Sequence, residues 1–112
     1  MIEILPIKSA DKHREYCEDL KVEYLSNCLL YAALKDGNSV AICQFEISSE
    51  RARIQSCYGN KGALLLTLRA ALNFICTCGT PLVEASSIQL DEKSMLELGF
   101  ENIGDQRYQL KF

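Results

Sequence analysis

The stretch that most constrains this chain runs from Ala52 to Ala85. Tyr58-Gly59-Asn60-Lys61-Gly62 opens a long apolar segment, Ala63 to Cys76, which Cys78-Gly79-Thr80-Pro81 closes before Leu82 to Ala85. Gly79 suits the left-handed residue that ends a helix, and Pro81 cannot continue one. Ala52 to Tyr58 reads as the strand entering the helix and Leu82 to Ala85 as the strand leaving it, which implies parallel or near-parallel neighbours and a right-handed crossover. The helix keeps its polar positions, Lys61, Arg69, Asn73 and Thr77, in one narrow sector, so it is expected to be nearly surrounded by protein. In the entering strand, strict alternation groups Ala52, Ile54, Ser56 and Tyr58 on one face and Arg51, Arg53, Gln55 and Cys57 on the other.

The turn into that helix has two readings. Two glycines at a strand-to-helix junction leave backbone N–H groups exposed beside a helix N-terminus, where the aligned peptide dipoles attract anions, and Lys61 adds a charge. The plainer reading is a tight turn with a surface lysine.

Upstream, Ile2 to Ile7 alternates loosely and contains Pro6, as an edge strand does. Ser9 offers an N-cap, and Ala10, His13, Tyr16, Cys17, Leu20 and Tyr24 recur at helical spacing opposite a charged face. His13, at the edge of that stripe, reads as a partly buried structural histidine. Cys28 to Leu34 is apolar on both parities, as in a strand covered on both sides. Asp36-Gly37-Asn38 supplies residues that tolerate positive φ, so a hairpin returns Val40 to Ile47, and a turn at Ser48-Ser49-Glu50 completes an antiparallel meander with Ala52 to Tyr58. Downstream, Asp91-Glu92 starts a short helix that Gly99 ends, and Phe100 to Ile103 is strand-like. Tyr108, Leu110 and Phe112 then alternate with Arg107, Gln109 and Lys111, giving a last strand with one buried and one wet face.

Composition bounds what such a chain does. With 112 residues, 48% of them hydrophobic, and a formal charge of −3, the sequence fits one domain over residues 1–112. No basic stripe interleaved with aromatics appears, so nucleic acid is not an expected partner. The apolar run 63–75 is too short and too interrupted for a membrane span, so no membrane partner is expected. Residues 1–7 carry Glu3 and no basic region, unlike a signal peptide, so the expected location is cytoplasmic and the six cysteines are expected as reduced, buried thiols. Those cysteines form no C-x-x-C, and the single His13 completes no set with them, so no metal site is expected.

The order of strand, helix, meander, long helix, strand, short helix and closing strands resembles the GNAT superfamily of N-acetyltransferases. Leu98-Gly99-Phe100-Glu101 is similar to that family's "lGFe" segment, and the Leu-rich helix ending in Cys78-Gly79 resembles its cofactor-side helix. The resemblance spans Ile2 to Phe112. It implies an α/β (α+β) single domain: a mixed sheet with an antiparallel N-terminal meander, a central buried helix, and a short C-terminal helix with closing strands. It also implies an acyl-CoA cofactor, acetyl-CoA first, whose pyrophosphate rests on the backbone of a loop written Q/R-x-x-G-x-G/A. Here that loop corresponds to Gly59, Asn60, Lys61, Gly62 and Ala63. With Gly62 as the first glycine, the flanking positions are Gly59 and Leu64; with Gly59 as the first, they are Ser56 and Lys61. Neither spells the whole motif. The tyrosine that family members place four residues before the Gly of "lGF" is Met95 here, which has no proton to give. The general base implied by the resemblance falls to Glu46 or Glu84, each of which also reads as an ordinary strand carboxylate. Arg51 and Arg53 face an anionic substrate or pair with Glu46 across the meander.

Two functions follow as expectations. One is a small N-acyltransferase that sets an acyl-CoA thioester against an unknown amine acceptor. The other is a GNAT-like module without turnover that binds a ligand or a protein partner, with a homodimer through an open sheet edge as one form of it.

Overall fold

The computed structural model describes residues 1–86 and 88–112. The elements are β1 (Ile2–Ile7), α1 (Ala10–Asp19), β2 (Leu29–Lys35), β3 (Asn38–Ile47), β4 (Ala52–Gly59), α2 (Lys61–Thr77), β5 (Leu82–Ala85), α3 (Glu92–Glu97), β6 (Glu101–Gly104) and β7 (Arg107–Lys111). The strands form one sheet in the order β1-β2-β3-β4-β5-β7-β6. β4 and β5 pair in parallel across the α2 crossover, as the strand–helix–strand reading requires, and the other neighbours are antiparallel. β1 sits at the edge, where Pro6 is tolerated, and extends the meander to a fourth strand.

The β2–β3 hairpin turns on two residues, with Lys35 opposite Asn38. Asp36 (φ 53°) and Gly37 (φ 83°) are both left-handed, the type I′ geometry whose twist matches the flanking strands. Two cores lie on opposite faces of the sheet. Phe45, Ile54 and Val83 pack under Leu64, Leu68 and Ile75 of α2, together with Met95 and Phe100. Leu30, Ala32 and Ile42 pack under Tyr16 and Cys17 of α1.

Four expectations are corrected. First, β4 does not alternate strictly: Phe45 faces Ile54 but Gln44 faces Ser56, so Gln55 is an extra, unpaired residue. This bulge reverses parity beyond it. Cys57 turns into the core and Tyr58 turns outward, opposite to the strict alternation. Second, α2 is buried on one side only; Leu66, Phe74 and Cys76 are exposed, because the sheet covers one face and no layer lies over the other. Cys76 and Cys78 are therefore exposed thiols, whereas Cys17, Cys28, Cys43 and Cys57 are buried as expected. Third, α1 ends at Asp19, and Lys21 at φ 57° redirects the chain, so Tyr24 reaches His13 from the following segment rather than from the helix stripe. Fourth, Phe112 lies beyond β7 and is exposed, and only Tyr108 and Leu110 of its expected apolar face are partly buried.

Candidate functional site

Gly59 is fixed by packing. Its φ is +137°, and a Cβ there would stand 2.4 Å from the Val40 carbonyl oxygen and 2.5 Å from Ala41 Cα, so β3 alone requires glycine. Asn60 is the N-cap of α2; its Oδ1 accepts from Ala63 N at 3.4 Å, and its own N–H donates to Val40 O at 2.9 Å. The Gly59 N–H donates to Gln89 Oε1 at 3.0 Å. Of the five expected cradle positions, Gly59, Asn60 and Ala63 thus have their amides engaged. Among the described residues, the N–H groups of Lys61 and Gly62 have no protein acceptor. Gly62 is open: an added Cβ would meet only Asn60 Oδ1, at 3.7 Å.

A carboxylate stands beside this helix start. Lys61 Nζ lies 3.6 Å from Asp91 Oδ1, both side chains being exposed. The Ser94 hydroxyl, donating to Asp91 at 2.5 Å, holds that carboxyl below the usual range, and the Lys61 charge adds to the effect. The charge expected to attract an anion is thus partly met by the chain itself.

The segment after β5 stays alongside β4. Parallel pairing runs from Ala52–Val83 to Ile54–Ala85, and beyond the bulge Cys57 bridges to Ile88 while Gln89 N donates to Cys57 O at 2.9 Å. Among the described residues, the two strands stay alongside each other rather than splaying into an empty slot. An extended ligand lying along β4 to the start of α2 would take the place of Ile88 and Gln89.

The two expected bases have different surroundings. Glu46 Oε1 accepts from Asn27 Nδ2 at 2.7 Å and from Gln55 Nε2 at 3.0 Å, so the bulged residue orients it and Oε2 has no partner among the described residues. Glu84 Oε1 is bound to Arg51 Nη1 at 2.6 Å. Arg51 therefore pairs with Glu84 rather than with Glu46, and Arg53 stands in register between Glu46 and Glu84 on the neighbouring strands. These carboxylates lie near the start of β4 and the free amides follow its end, about 20 Å away at the rise of a strand. Only an elongated ligand touches both. Met95 is fully buried.

Sequence reasoning missed Gln89, Gln55 and Tyr108. Tyr108 lines a basin of about 280 Å³ with Arg53, Gln55, Glu84 and Ser86. Only the bulge and the β5–β7 pairing bring it there, and neither leaves a sequence signal. Among the described residues no group of three or more His, Cys, Asp or Glu is arranged to hold a metal ion, and no helix is long and apolar enough to cross a membrane.

The fold is that of the GNAT acetyltransferases. The chain superposes on an IAA acetyltransferase from Bacillus cereus with a TM-score of 0.73 at 13% identity, covering 100% of both chains. It superposes on the ribosomal-protein-S18-alanine N-acetyltransferase from Escherichia coli with a TM-score of 0.76 at 11% identity, covering 99% of this chain and 94% of that one. A PaiA N-acetyltransferase from Thermoplasma acidophilum, solved in complex with coenzyme A, gives 0.69 at 13% identity over 100% and 99%. No protein-family model matches the sequence, and no curated protein matches it at a significant level.

Proposed function

We propose that this protein is an acyl-CoA-dependent N-acyltransferase acting on an amine. The observation that carries the reading is the pair of unpartnered N–H groups, Lys61 and Gly62, at the start of a long helix in a GNAT fold, open to an anion. Those amides and the Lys61 ammonium would hold the pyrophosphate, with Gly59, Asn60 and Ala63 shaping the turn. Acetyl-CoA, or another acyl-CoA, supplies the acyl group as a thioester. Glu46, oriented by Asn27 and Gln55 with one oxygen unpartnered, is better placed than the Arg51-bound Glu84 to take a proton from the amine. Tyr108 is the phenol lining the same end of β4 and stands in for the proton donor that Met95 cannot be. Titration calorimetry with acetyl-CoA and with CoA tests the binding. Heat that Lys61→Ala weakens several-fold is expected, and no heat at millimolar ligand with folded protein would overturn the reading.

A second reading, a ligand- or partner-binding module without turnover, is favoured by one observation: Gln89 and Asp91 of the same chain already contact the cradle. CoA binding with no acyl transfer to any of a panel of amines would select it. In that case β1, an edge strand with Ile2 and Leu5 exposed, is the surface through which a homodimer would form, and a strict monomer by light scattering would remove that part.

A further inference from the structure

A second cleft lies elsewhere in the molecule. It measures about 420 Å³ and lies where β1 ends and β2 begins, and no residue of β4, β5 or the α2 start lines it. Its walls are mainly apolar. Leu29 forms part of them, and so does an aromatic group in which Tyr31, Phe45 and Phe74 have ring centroids 6.1 to 6.2 Å apart.

Lys8, Ser9, Tyr24, Ser26 and Tyr31 also line this wall, and His13, 5% exposed, is its buried polar side chain. Its Nε2 is 2.8 Å from Gln44 Oε1. The orientation of the Gln44 amide is set by backbone groups whose roles are unambiguous: Leu25 N–H donates to Oε1 at 3.0 Å, and Glu23 O accepts from Nε2 at 3.0 Å. Gln44 Oε1 is therefore an acceptor, and His13 must carry its proton on Nε2. In the neutral ring this leaves Nδ1 as a bare acceptor. Nδ1 has no protein partner among the described residues, yet no fully buried side-chain nitrogen or oxygen there lacks one. It therefore keeps accessible surface, on a ring that lines the cleft. Tyr24, edge-on to His13 at 4.7 Å, holds the ring from another side.

A purely structural histidine needs only the Gln44 bond. Here a three-bond amide fixes the tautomer and leaves an accessible, unsatisfied lone pair on a ring that lines a mainly apolar cavity of ligand size. We propose that this cleft binds a small, planar, largely apolar molecule bearing one hydroxyl or N–H donor. The donor hydrogen-bonds to His13 Nδ1 and the ring lies against Tyr24 and Leu30, which line the cleft on the α1 face, while Tyr31, Phe45 and Phe74 close it from the α2 face. The site is separate from the proposed acyl-CoA site and stands whether or not that reading holds.

The chain has one histidine, so its ring nitrogens are observed without overlap by long-range ¹H–¹⁵N correlation. The probes are 4-ethylphenol and its methyl ether, which has the same ring and no donor. The free protein is expected to show the Nε2–H tautomer. 4-Ethylphenol is expected to shift Nδ1 saturably, and the ether to bind about tenfold more weakly, the size of one hydrogen bond. His13→Phe keeps the ring's bulk and leaves Gln44 held by Leu25 and Glu23; it is expected to abolish the discrimination between the two probes. Leu29→Glu, at the half-exposed rim, is expected to weaken both. An Nδ1–H tautomer, an unmoved Nδ1 on saturation, or equal affinity for the two probes overturns the proposal. If His13→Phe does not fold, the Nδ1 shift and the probe ratio in the unaltered chain decide it.

Discussion

Gly59 shows how one residue couples the fold to the site. The backbone of β3 passes where its Cβ would be, and φ +137° is a conformation side chains rarely adopt. Gly59→Ala is expected to lose about 3 kcal/mol from the combined strain and overlap, read as a lower urea midpoint with little change in slope. An unchanged midpoint would mean that β3 and β4 are not so close. The buried thiols give a second residue-scale expectation. Burial pushes Cys17 and Cys28 up from 9.0 to about 11, with Cys28 adding to the effect on Cys17, and Glu46 and Cys43 to that on Cys28. The folded state then holds those protons more tightly than the unfolded chain, which releases them first as pH rises. Their contribution is intact below pH 9 and is lost as pH climbs towards about 11. Urea midpoints are expected to fall across that window, and a flat profile would remove the assignment. Cys76 and Cys78, both exposed, are expected to react with a thiol reagent in the native protein while Cys17 and Cys28 wait for unfolding.

At the scale of elements, the sequence was most legible where local chemistry decides. The Asp36-Gly37 turn, the Ser9 cap and the Gly79 terminus each depend on residues within a turn of one another. It was least legible in β4, because nothing in Arg53-Ile54-Gln55-Ser56-Cys57 marks which residue is left unpaired; the ladder with β3 determines that. The burial of α2 was misjudged for a related reason. An apolar helix does not disclose whether one layer or two will cover it, and here Leu66 and Phe74 stay exposed. The bulge can be tested as an element. Deleting Gln55 removes the unpaired residue and leaves Ser56 opposite Gln44 and Cys57 opposite Cys43, so β4 becomes regular with Cys57 still in the core. The expected cost is about 1 kcal/mol, from the hydrogen bond that Gln55 makes to Glu46, read as a slightly lower urea midpoint. A loss above about 3 kcal/mol, as for a large core side chain, would show that β4 shifts register and turns Cys57 outward.

Over the whole molecule, the candidate site is assembled from parts that the sequence keeps far apart, and the chain partly occupies it. Gln89 follows the parallel strand β5, yet its side chain takes the Gly59 N–H and its backbone takes Cys57 O. Asp91 then faces Lys61 at the helix start. A sequence reading finds the glycines and the lysine, because they are contiguous, but not the glutamine some thirty positions on. If acyl-CoA binds where we propose, it must displace these contacts, so its affinity is the intrinsic value reduced by the free energy of opening. Gln89→Ala removes the side-chain bond and frees the Gly59 amide for a phosphate oxygen. One hydrogen bond of about 1 kcal/mol corresponds to a roughly fivefold tighter Kd for CoA by calorimetry. Asp91→Asn removes the competing charge at Lys61 and is expected to act in the same direction, with a gain that shrinks as salt is raised because both side chains are exposed. If both variants bind CoA no better than the parent, Gln89 and Asp91 are structural clasps rather than competitors, and the ligand enters without moving them.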